Sequence, residues 1–77
     1  MRKLPKAGEI WQHFKGKCYL IVEGEVEHTE TGEKFVVYRQ LYPPFGTYCR
    51  PVDMFMSKTD KDKYPDAVQE NRFQCVG

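Results

Sequence analysis

The 77-residue sequence lacks most of the features from which an activity is usually read. Its three cysteines, Cys18, Cys49 and Cys75, include no Cys-x-x-Cys pair, so the spacings that clamp zinc or run dithiol chemistry are excluded. No apolar stretch approaches the ~18 to 20 residues of a spanning helix. The start, Met1 to Lys6, also lacks the apolar run of a signal peptide. Twelve basic and 11 acidic residues leave a formal charge of +1, with no global pull toward nucleic acid or anionic membrane. Leucine and alanine are scarce, and there is no internal repeat or low-complexity segment. These absences describe one small domain spanning residues 1–77, placed in the cytoplasm and away from membranes. Each cysteine falls in an apolar context and reads as a small buried hydrophobe.

What the chain does have is aromatic and β-branched residues. A chain this short buries only about 60 to 65% of the surface its unfolded form exposes, so aromatics must supply much of the core and deep clefts are not expected. Residues 1–8, with Pro5 and Gly8, read as a lead-in arm. Glu9 to Phe14 and a second run from Cys18 flank Lys15-Gly16-Lys17, a hairpin signal. From Cys18 to His28 the pattern alternates, with Leu20, Val22, Gly24 and Val26 on one parity and Glu23, Glu25 and Glu27 on the other, as in a half-buried strand. Thr29 to Lys34 supplies turn residues, and Phe35 to Tyr42 is the most β-prone segment.

Treating Glu30 to Glu33 as a four-residue loop pairs His28 with Phe35, Val26 with Val37 and Val22 with Leu41. That register places Gly24 opposite Arg39, leaving room for the arginine stem. Pro43-Pro44-Phe45-Gly46 breaks the strand, Thr47 to Arg50 forms another, and Val52 to Ser57 is a further strand or a single helical turn. Residues 58–70 form a charged connection in which Tyr64 to Gln69 is compatible with one helical turn, and Arg72 to Val76 closes the chain. The expected fold is all-β: a strongly bent antiparallel sheet of five to six short strands closing into an SH3-like open barrel, with a flat open sheet as the alternative.

Several blocks in order carry a resemblance: Gly8, Trp11-Gln12-His13-Phe14-Lys15-Gly16 and Tyr19; His28-Thr29-Glu30-Thr31-Gly32-Glu33; Val36-Val37-Tyr38-Arg39 and Leu41-Tyr42; Arg50-Pro51 and Met54-Phe55. In these the chain resembles the short bacterial family catalogued as domain of unknown function 1653. The resemblance runs to Phe55 and departs at the longer connection of Lys58 to Asn71. It implies a small bacterial cytoplasmic domain and transfers no catalytic or binding residue.

Candidate chemistry therefore rests on the residues. His28, followed by Thr29 and Glu30, could orient an imidazole for acid-base work, against a structural hydrogen bond into the following turn. A dyad of Cys49 with His28 would support nucleophilic catalysis, yet no third residue or oxyanion loop can be named. The Glu23, Glu25, Glu27 comb has no recognised ligand spacing and reads as a solvated strand face, so no metal or other cofactor is expected. Trp11, Tyr19, Tyr38, Tyr42, Phe45 and Tyr48 exceed what one small core needs: either they shield a thin core from water, or some are exposed, with Trp11, Tyr38, Tyr42 and Tyr48 the candidates for a stacking groove. Arg39 and Arg50 sit within apolar strands, which suggests fixed partners or an anionic ligand. The leading reading is a non-catalytic module binding a peptide or protein segment through an aromatic groove. The second is single-stranded nucleic-acid binding with Arg2, Lys3, Lys6, Lys15 and Lys17 on phosphates, and the third a hydrolase-type enzyme. Oligomeric state has no signal in the sequence.

Overall fold

Gly16, at a φ of 96° that costs glycine nothing, turns the chain between β1 (Ile10–His13) and β2 (Cys18–Glu27). The computed structural model describes residues 4–77. At this turn the His13 N–H donates to the Lys17 carbonyl at 2.7 Å and the Gly16 N–H to that of His13 at 2.8 Å. β2 pairs with β3 (Lys34–Gln40), β3 with β4 (Thr47–Pro51), and β1 with β5 (Phe73–Cys75). Every pairing is antiparallel, and the order is β4-β3-β2-β1-β5. Pro51 precedes a four-residue helix, α1 (Val52–Phe55), which settles the strand-or-helix alternative for that segment.

The all-β class and the five strands are as expected, but the sheet is not closed into a barrel. β4 and β5 are its two edges and no ladder joins them. β5 is only three residues long and spends its pairing on β1. The core is closed instead by α1, whose Phe55 packs with Trp11, Ile21, Val36, Tyr38 and Phe73. The connection that follows forms turns and no helix, and it is tied down by the Lys58 to Asn71 bridge. The Gln69 Nε2 donates to the Gln12, Asn71 and Arg72 carbonyls at 3.0, 2.8 and 3.4 Å, fastening the connection to β1.

The register of the second hairpin differs from the expected one. Glu27 pairs with Lys34 and Val26 with Phe35, so the turn spans residues 28–33, and bulges fall between Ile21 and Glu23 and between Glu23 and Val26. Ile21 and Tyr38 thereby face each other inward, while Val22 and Val26, which the alternation had placed inside, are 46% and 37% exposed. Both parities of these strands carry apolar residues, and the parity with the larger rings is the one buried because it removes more area from water.

Gly24 is not opposite Arg39, whose partner in the ladder is Leu20. It lies against the arm: a Cβ at Gly24 would stand 1.9 Å from the Pro5 carbonyl oxygen. The arm is docked further by the Gly8 N–H donating to the Ile21 carbonyl at 2.8 Å, and Pro5 is buried. The cysteines also differ from expectation, since Cys18 is half-buried and Cys49 and Cys75 are exposed. Cys49 lies opposite Val37 on the outer parity of the sheet, and Cys75 on the short edge strand.

Candidate functional site

Phe73 sits where the core meets the surface. Its buried ring stacks on Phe55 at 4.1 Å and 7° between planes, and the His13 ring meets its edge at 4.9 Å and 78°. The Arg50 guanidinium lies 5.6 Å from the Phe73 ring centroid, within cation–π range. Strand pairing explains this assembly: His13 is opposite Phe73 across β1 and β5, and Arg50 shares the inward parity of Val36, its partner across β4 and β3.

His13 and Arg50, which flank this ring, also line a cavity of about 310 Å³, together with Phe14, Lys15, Asp60, Lys63, Tyr64 and Arg72. Four cations face one carboxylate. Asp60 is itself engaged, accepting the Asp62 and Lys63 backbone N–H groups at 3.1 and 3.2 Å. Among the described residues neither Arg50 nor Arg72 has an ion-pair partner. The Arg72 Nε is buried with no hydrogen-bond acceptor among them, an arrangement that is costly when left unfilled.

His13 is held neutral here. Burial, then the charges of Arg50, Lys15 and Arg72, lower its pKa to about 4. Its Nδ1 accepts the Lys15 N–H at 3.1 Å, which leaves the ring proton on Nε2 as a donor. A second cleft of about 290 Å³ adjoins, formed by Phe14, Lys63, Tyr64, Pro65, Asp66 and Ala67. Phe14, Lys63 and Tyr64 belong to both walls. The two rings lie 4.9 Å apart, with the Lys15 Nζ 5.0 Å from the Tyr64 centroid.

Of the aromatic, arginine and histidine candidates singled out in the sequence, Arg50 is part of this site and the others are not. Trp11 and Tyr38 are 2% and 5% exposed, so the stacking groove expected of them is not formed. Tyr42 is hydrogen-bonded through its hydroxyl to that of Tyr19 at 2.6 Å, with the Lys17 Nζ 5.0 Å from its ring. Tyr48 is exposed beside Tyr38, at 6.4 Å between ring centroids. Arg39 is exposed on the outer parity, opposite Leu20 and Thr47, and so lies across the sheet from Arg50. Of the basic residues assigned to phosphates, Arg2 and Lys3 lie outside the described residues, and Lys15 alone lines the cavity.

His28 and Cys49 do come together, lining an outer-face cleft of about 210 Å³ with Val26, Phe35 and Val37. No hydrogen bond joins them. The His28 Nδ1 accepts the Glu30 and Thr31 N–H groups at 3.2 and 3.4 Å, which ties the ring to its own turn and not to the thiol. Among the described residues no group of three or more His, Cys, Asp or Glu is gathered for a metal ion, and no helix is long and apolar enough to cross a membrane.

Residues 9–75 match the model of a family described as protein of unknown function (DUF1653). The chain belongs to this family. Among solved structures it is similar to a crystal structure of a DUF1653 protein from Bordetella bronchiseptica, at 30% identity and a TM-score of 0.75, over 91% of this chain and 86% of that one. No curated protein matches it. The family match extends through the charged connection to Cys75, beyond the Phe55 limit of the sequence resemblance, so the segment carrying Asp60, Lys63, Tyr64 and Arg72 falls within it. These residues escaped notice because nothing in the spacing of the connection shows that it returns to β1. The one signal was that Arg72 opens the closing strand expected over Arg72 to Val76, as Arg50 sits within another.

Proposed function

We propose that this domain is a non-catalytic, cytoplasmic binding module that grips its ligand by an anionic group held in the cavity of His13, Lys15, Arg50, Lys63 and Arg72. One observation carries the reading: Arg50 and Arg72 line the same cavity with no ion-pair partner among the described residues, and the Arg72 Nε is buried without an acceptor. Guanidinium groups match the planar, multidentate acceptors of carboxylates, sulfates and phosphates. An anion there would offset the crowding of four cations. The non-catalytic part is supported by the state of His28, whose acceptor nitrogen is committed to the turn.

The test is a titration with sulfate at constant ionic strength, followed through backbone amide shifts. Shifts should cluster at Lys15, Arg50 and Arg72, and Arg50→Ala or Arg72→Ala should each weaken binding by about tenfold or more, the value of a charge-assisted hydrogen bond. A titration that leaves those amides unmoved rejects the reading.

A further inference from the structure

The second cleft bears on the kind of anion. It shares Phe14, Tyr64 and Lys63 with the cationic cavity, so a ligand held by its charge in one is carried directly along two aromatic rings into the other. Beyond the rings the cleft has apolar walls in Pro65 and Ala67 and one carboxylate, Asp66. We propose that the ligand is a nucleoside monophosphate unit, with its phosphate in the cavity and its base in the cleft; the inference rests on the anion-binding reading above.

The charge count favours phosphate over carboxylate. Four cations against Asp60 exceed what a monoanion can balance, whereas a phosphate monoester brings a charge of about −1.5 to −2 and three free oxygens. Arg50 and Arg72 supply fork donors, Lys15 and Lys63 ammonium groups, and His13, protonated on Nε2, a further neutral donor. The cleft then favours a base over a plain ring. Phe14 and Tyr64 offer stacking surface, and Asp66 gives an acceptor that an exocyclic amine can meet and a bare phenyl ring cannot. The unit is either a free nucleotide or the 5′ end of a strand, which present the same chemistry.

Calorimetry and amide-shift titration of the full chain with adenosine 5′-monophosphate, inorganic phosphate, adenosine, phenyl phosphate and sulfate decide the matter at one ionic strength. The nucleotide should bind about tenfold more tightly than inorganic phosphate, with shifts at Phe14, Tyr64 and Asp66 as well as at Arg72. Phe14→Leu should reduce that advantage. A 5′-phosphorylated trinucleotide binding more tightly than the mononucleotide assigns the source to a strand end, and equal binding to a free nucleotide. Equal affinity for nucleotide and inorganic phosphate overturns the inference while leaving the anion site standing. Phenyl phosphate as tight as the nucleotide also overturns it and redirects the site to a phosphorylated aromatic side chain. If sulfate and every phosphate fail to bind, both readings fall.

Discussion

The Arg50 guanidinium stands 5.6 Å from the centroid of Phe73, and the same ring stacks on Phe55 at 4.1 Å. One aromatic residue of the last strand thus belongs to the core and at the same time supports an arginine that lines the cationic cavity. Arginine keeps its charge at any ordinary pH and is more weakly hydrated than lysine, so it can rest on a ring without losing much solvation.

Substitution of Phe73 should therefore affect two measurements. Phe73→Ala deletes a fully buried ring and should cost about 3 to 5 kcal/mol, enough to unfold much of a domain of this size. Phe73→Leu should keep the fold with a smaller loss in urea midpoint, yet weaken sulfate binding because Arg50 loses its ring. Undiminished sulfate affinity in a folded Phe73→Leu protein would separate the core from the site.

The docking of the arm rests on Gly24. A Cβ there would overlap the Pro5 carbonyl, so Gly24→Ala must displace residues 5–8 or bend β2, at a cost of about 1 to 3 kcal/mol. A lower denaturation midpoint with faster exchange of the Gly8 amide, which donates to Ile21, is the expected result. An unchanged midpoint would contradict the contact.

His13 makes stability depend on pH in a defined direction. Its pKa falls from the ordinary imidazole value of 6.5 to about 4 on folding, so between those values the unfolded chain takes up a proton that the folded domain refuses. The stabilisation is complete above pH 6.5, declines as the pH drops, and is lost below about pH 4. The full shift is discounted for the partial exposure of the ring, to about 1 to 2 kcal/mol. His13→Gln should flatten midpoint against pH over this window. An anion among Arg50, Arg72, Lys15 and Lys63 would oppose their effect on His13, so sulfate binding should strengthen as pH falls.

The two arginines chosen from the sequence should behave oppositely. Arg39 lies on the outer parity and Arg50 on the inner, so Arg39→Ala should leave sulfate binding unchanged within error while Arg50→Ala weakens it. Equal losses from both would mean that the response is to net charge and not to the cavity.

The residues by themselves determined the elements: Gly16 between two apolar runs, the alternation after Cys18, the Pro43-Pro44 break and the closing aromatic strand place all five strands to within a residue or two. Local conformation follows from local chemistry, so those features are readable one segment at a time. Which face became the core was decided only in the folded state, because Val22, Val26 and Leu41 compete on equal local terms with Ile21, Val36 and Tyr38. The contest was settled by the rings of Phe55 and Phe73 arriving from distant segments. The candidate site is of the same kind. His13, Arg50, Lys63 and Arg72 are far apart in the chain and meet because β5 pairs with β1 and the Gln69 side chain holds the connection against it. A side chain's neighbours across such distances are set by packing, which no single segment encodes.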